Sequence, residues 1–101
     1  DYNDYLSHGK LGTYYLNKRN FKKALKHLRK SYELNDEIVE THWNLACLFS
    51  LESKYDKSLQ HLKIIKDKWG VDGLGNPYDD EDLKNLLNES FYKIQVDLLL
   101  E

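Results

Sequence analysis

An all-α fold is predicted by two features of the 101-residue sequence. The first is a stretch from Leu11 to Leu28 that recurs without a gap 34 residues later, from Leu45 to Leu62. Leu11 aligns with Leu45, Gly12 with Ala46, Tyr15 with Phe49, Phe21 with Tyr55, Ala24 with Ser58, His27 with His61 and Leu28 with Leu62. A period of roughly 20–50 residues marks an architecture in which each unit buries its apolar face against its neighbours. The second feature is punctuation: one Pro and five Gly, three of them between Gly70 and Gly75, leave long runs of good helix formers. At 41 % hydrophobic residues the chain can pay for ordering itself, and its length suits one domain over residues 1–101. Within it, 5–38 form a first unit, 39–72 a second, and 73–101 a loop and closing segment.

The elements follow in order. From Tyr5 to Lys18 the positions Leu6, Leu11, Tyr14 and Tyr15 fall on a helical spacing, with Gly9 and Gly12 marking a close approach to the next helix. Asn20 is a good N-cap for a second run through Phe21, Ala24, Leu25, Leu28 and Tyr32, and the short connection makes the two helices an antiparallel hairpin. The lysines and arginines of that run read as a solvated outer face. Asn35-Asp36 is expected to cap a third helix over Glu37–Leu51, with Glu37 and Glu40 complementing its dipole. A fourth helix is expected over Tyr55–Lys68, carrying Leu59, Leu62 and Ile65. Gly70 to Pro77 is loop chemistry. Asp79 to Asp82 then cap a short helix through Leu83, Leu86 and Leu87. Asn88-Glu89-Ser90 can start a last helix carrying Phe91, Ile94, Leu98 and Leu99, separate from the short one or continuous with it.

Composition narrows the function classes. Fifteen basic residues against seventeen acidic ones supply no global positive field for nucleic acid. No apolar run approaches the ~20 residues of a membrane span. A lone Cys47 rules out an internal disulfide and suits a reducing compartment. The absence of Met reads as a piece of a longer protein. Four histidines invite a metal reading, but His8 and His42, like His27 and His61, are one period apart. Packed helices ~8–10 Å apart hold such pairs too far apart to share a zinc. Cys47 has no neighbouring base, and the glycines of 70–75 do not match a phosphate loop. No enzyme, cofactor or metal site is expected.

The doubled stretch resembles the tetratricopeptide repeat (TPR) family, whose units are 34-residue helix hairpins. The family's Leu, Gly/Ala, Tyr, Ala and later apolar positions fall on Leu11, Gly12, Tyr15, Ala24 and Leu28, then on Leu45, Ala46, Phe49, Ser58 and Leu62. Departures are His8 and His42 where an aromatic often stands, Ser31 and Ile65 for a small residue, and Asp36 and Gly70 where Pro is usual. Asp80-Glu81-Asp82-Leu83 with Leu86 and Phe91 is similar to the segments that close such arrays. The resemblance implies a TPR-like right-handed α-solenoid of two helix hairpins with one or two capping helices, the cap presenting a polar outer face.

It also implies a peptide-binding concave groove lined by Leu6, Lys10, Thr13 and Asn17 of the first unit and Trp43, Asn44, Cys47 and Ser50 of the second. In that groove Trp43 would be a flat anchor, Asn44 a two-sided partner for peptide backbone and Lys10 a partner for a carboxylate. The family's two-carboxylate clamp is not expected: Asn44 matches it, but Gly9 and Thr13 stand at the first-unit positions and no third unit follows. The expected function is therefore a non-catalytic protein–protein interaction module for a protein or peptide partner. The alternative is a structural terminal piece of a longer array, or a scaffold self-associating as a homo-oligomer through an N-terminal face of Tyr2, Tyr5 and Leu6.

Overall fold

The computed structural model describes residues 4–101. Six α-helices and two 3-10 turns, and no strand, make up these residues: α1 Tyr5–Asn17, α2 Phe21–Leu34, α3 Val39–Leu51, α4 Tyr55–Leu74, the turns Pro77–Asp79 and Glu81–Leu83, α5 Lys84–Leu87 and α6 Ser90–Leu99. Tyr2 lies outside the described residues, so the N-terminal face is represented by α1 alone.

α1 packs along α2 and α3 along α4, and α2 meets α3 between the two hairpins. Gly12 is the close-approach point of the first hairpin: a Cβ there would stand 2.5 Å from Leu28 Cδ2. Asp4 accepts from the Leu6 amide at 2.9 Å and Asn20 from the Lys23 amide at 3.2 Å, so both helices of the first hairpin start on side-chain caps. The two hairpin turns are built alike. Arg19 and Ser53, one period apart, both adopt left-handed φ (62° and 61°). In each turn the next amide reaches back five residues, Asn20 to Tyr15 at 2.9 Å and Lys54 to Phe49 at 2.7 Å, which satisfies a helix-terminal carbonyl.

Leu28, Leu48, Leu62 and Ile65 are fully buried along the hairpin seams, and Leu74, Leu83, Leu86 and Val96 extend the same core beneath the closing segment. Each such side chain contributes about 1.5–3 kcal/mol on burial. Ser58, which stands where the first unit has Ala24, keeps its buried hydroxyl satisfied by donating to the Ala46 carbonyl at 2.7 Å.

Four expectations are corrected. The third helix starts at Val39, not Glu37: the Asn35 side chain turns the chain by accepting from the Glu37 amide, and Ile38 becomes the N-cap without a side-chain bond. The fourth helix does not stop at Lys68. Gly70 takes φ 73°, which an L side chain strains to adopt, and the helix resumes beyond that break to bury Leu74. Leu11 is not a packing residue. It is 40 % exposed while its period-mate Leu45 is 3 % exposed, because α2 lies against α3 on the face that Leu45 occupies and no described helix takes the equivalent place on α1. The outer face of the cap is not polar: Phe91, Ile94 and Leu98 point to solvent, while Val96, with Tyr92 and Leu99 beside it, faces the core.

α5 and α6 are separate helices. α6 is held against α4 by Lys66, whose Nζ donates to the terminal Leu99 carbonyl at 2.6 Å, and by the Tyr92 hydroxyl, which donates to Asp56 at 2.6 Å.

Candidate functional site

The residues expected to line one groove divide into two groups. Leu6, Lys10, Thr13, Trp43 and Asn44 border open space, whereas Cys47 and Ser50 are buried, 2 % and 0 % exposed. They are buried because the segment after Pro77 folds back onto α3. The Leu86 amide donates to Ser50 Oγ at 3.2 Å, and Asp80 lands on Trp43 and Cys47. Cys47 and Ser50 therefore support the cap rather than a ligand. Asn17 is exposed but borders neither cleft.

Asp80 is the centre of that docking, and its reach across 37 residues to Trp43 has no local signal. One carboxylate oxygen accepts from Trp43 Nε1 at 2.7 Å and from Cys47 Sγ at 3.5 Å; the other caps the following turn through the Asp82 amide at 3.0 Å. Asp82 in turn receives Arg19 at 2.8 Å, tying the first hairpin turn to the cap. Donating to the Asp82 carboxylate also holds the Arg19 guanidinium above its ordinary pKa.

Cys47, Asp80 and Asp82 are the one group among the described residues whose ligand atoms converge within 4.8 Å. The donor set does not suit a cation. Burial, reinforced by the Asp80 carboxylate, drives the Cys47 thiol far above its ordinary pKa and keeps it protonated, and a guanidinium already neutralises Asp82.

Two clefts remain open on the N-terminal side of the cap, of about 620 and 480 Å³. The larger runs from Trp43 to the Gly73–Asn76 loop and the smaller from Tyr5 and Leu6 past Lys10; Thr13, Glu40 and Asn44 border both. The wall between them is ordered by a relay: Asn44 Nδ2 donates to Thr13 Oγ1 at 2.8 Å, and the Thr13 hydroxyl donates to the Gly9 carbonyl at 3.0 Å. Asn44 thus commits its amide nitrogen to the scaffold. Glu40 and the Gly73–Asn76 loop were not legible as cleft residues. Glu40 also reads as a first-turn carboxylate, and the loop reaches α3 only through the break at Gly70.

The histidines pair within hairpins rather than between them. His8 and His27 stand 3.1 Å apart through their Nδ1 atoms, and His42 and His61 repeat the arrangement at 3.1 Å. The signal was present as a spacing of 19 residues occurring twice, which is the distance across each hairpin. Burial first, then the neighbouring His8, Lys26 and Lys23, lowers the His27 pKa; burial and His42 lower that of His61 to about 4. Each pair ties together the two helices of its hairpin, α1 to α2 and α3 to α4.

Comparison with protein-family models, curated proteins and solved structures returns no match.

Proposed function

We propose that this chain is a non-catalytic protein-interaction module of the tetratricopeptide-repeat type, a right-handed pair of hairpins with a C-terminal cap. On this reading it binds an extended segment of a protein partner in the N-terminal half of its groove. The observation that carries the reading is the pair of clefts sharing Thr13, Glu40 and Asn44 as a common wall. Their lining suits a peptide: Trp43 offers an aromatic surface, and Lys10 and Glu40 offer opposite charges for side chains or termini. The equivalent turns at Arg19 and Ser53 and the equivalent histidine pairs support the repeat reading. A non-catalytic role is favoured because the titratable groups that converge, at Asp80 and at the histidine pairs, are hydrogen-bonded to one another or to the scaffold.

The test is selection of peptides from a displayed random library, followed by titration against wild type, a Lys10→Glu/Glu40→Lys double variant and a Lys57→Glu control outside the clefts. Selected peptides are expected to lose affinity for the double variant alone. Equal binding to all three would sink the groove reading.

A further inference from the structure

The molecule is polar end to end. Residues 4–34, the first hairpin, carry eight lysines and arginines against Asp4 and Glu33, a balance of +6. Residues 77–101, the closing segment, carry Lys84 and Lys93 against seven carboxylates, a balance of −5. Each end also exposes large apolar side chains. On the outer face of α1 these are Leu11 (40 %) and Tyr14 (54 %); on the outer face of α6 they are Phe91 (61 %), Ile94 (58 %) and Leu98 (53 %).

The period says what kind of surface the α1 face is. Its residues Ser7, Leu11 and Tyr14 correspond, 34 positions on, to Thr41, Leu45 and Leu48, which are 3 %, 3 % and 0 % exposed. A face that is solvent-exposed in the first hairpin is thus the face that the second hairpin buries against helices. α6 presents what such a face takes: Phe91, Ile94 and Leu98 lie at i, i+3 and i+7, on one stripe of one helix.

We propose that copies of this chain associate head to tail, the α6 stripe of one seating on the Leu11–Tyr14 face of the next. A second copy is the occupant because the two faces match in apolar character and the segments that carry them oppose in net charge. Pairing α6 with α6 would instead bring two −5 ends together. The five side chains expose roughly 500 Å² in all, the apolar centre of a contact near the ~1,200 Å² lower bound of stable interfaces, so assembly follows concentration. Such a contact is heterologous and leaves a free head and a free tail on every assembly, so it yields chains rather than a closed dimer. This association is independent of the groove and stands or falls separately from it.

Sedimentation equilibrium of the wild type, with Tyr14→Glu, Ile94→Glu and their equimolar mixture, tests it, with circular dichroism reporting that each variant keeps its helix. Leu11→Asp and Leu98→Lys serve as second substitutions on the two faces. Wild-type mass is expected to rise with concentration and to fall when salt is raised. Each single variant is expected to sediment as one chain. The mixture is expected to form a complex of two chains and stop there, because only one intact head and one intact tail meet. A wild type that stays monomeric at millimolar concentration, or a Tyr14→Glu variant that still dimerises, would overturn the proposal.

Discussion

His42 and His61 hold a single proton between Nδ1 atoms 3.1 Å apart, and the backbone decides which ring owns it. His42 Nε2 lies 2.9 Å from the Asp36 carbonyl, which can only accept, so His42 carries its proton on Nε2 and accepts at Nδ1. His61 is therefore the Nδ1–H donor. The gap between the two Nδ1 atoms has room for one N–H, so the two rings cannot both carry protons on both nitrogens.

Stability is expected to fall in acid through this pair. In the unfolded chain His61 takes up a proton near its ordinary value of 6.5, whereas in the fold it resists until about pH 4. Stability is thus unaffected above pH 6.5, is lost as pH falls from 6.5 toward 4, and loses no more below that, a change of about 3 kcal/mol. His27, also lowered, adds a contribution of the same sign. Urea unfolding at pH 7.5, 5.5 and 4.5 should show a steeper decline for wild type than for His61→Asn, whose amide can still donate to His42. Parallel curves would remove the histidine pair as the cause.

Asp80→Ala should loosen the cap. The substitution strands Trp43 Nε1 and removes the anchor of the turn at Glu81–Leu83, at a cost of about 2–3 kcal/mol. In wild type, buried Cys47 should react with a thiol reagent only as fast as the cap opens. Faster labelling of Asp80→Ala at pH 8 is the expected result, and an unchanged rate would mean that Asp80 does not hold the cap down.

The two glycines of α1 should respond in opposite directions to alanine. At Gly12 the added methyl meets Leu28, costing about 1–3 kcal/mol. At Gly9 the nearest atom is Ser31 Oγ at 3.4 Å, so the neighbour has only to make ordinary contact and helix propensity contributes up to about 1 kcal/mol of stability. Chemical denaturation of the two single variants reads the difference directly.

Ser53→Gly should stabilise the second hairpin by about 1 kcal/mol, since φ 61° burdens a side chain with a Cβ clash that glycine lacks. The same substitution at Arg19 would also forfeit the ion pair with Asp82, so the gain there should be smaller or reversed. Melting temperatures of the two variants should separate in that order.

What could be read from the residues was whatever repeats or is local. Leu28 with Leu62, Gly12 against its neighbour helix and the Asn20 cap all follow from spacing and side-chain type. The left-handed turns could not be read, because Arg19 and Ser53 are not glycines and the geometry is imposed by the helices they join. Of the residues expected on the closing helix only Leu99 packs against the core, because α6 is apolar on two sides. Periodicity marks Phe91, Ile94 and Leu98 as one stripe and cannot say that Val96 is the residue facing inward. The candidate site was half legible: Lys10, Thr13, Trp43 and Asn44 follow from the family resemblance. The burial of Cys47 and Ser50 depends on a contact from Asp80 and Leu86 that exists only once the chain has turned at Gly70 and Pro77.

The cap over Cys47 and Ser50 is in effect a ligand that the chain supplies to itself. Joined to α4 through a few residues around Gly75, it faces its site at a local concentration of order millimolar, and dilution does not lower that value. On the groove function proposed above, a free segment seeking the covered half must outcompete a tethered rival, whereas one stopping at Trp43 meets none. On that proposal the reach of Asp80 sets an upper length for a peptide guest, and selection for longer guests would act first on the residues that hold the cap in place.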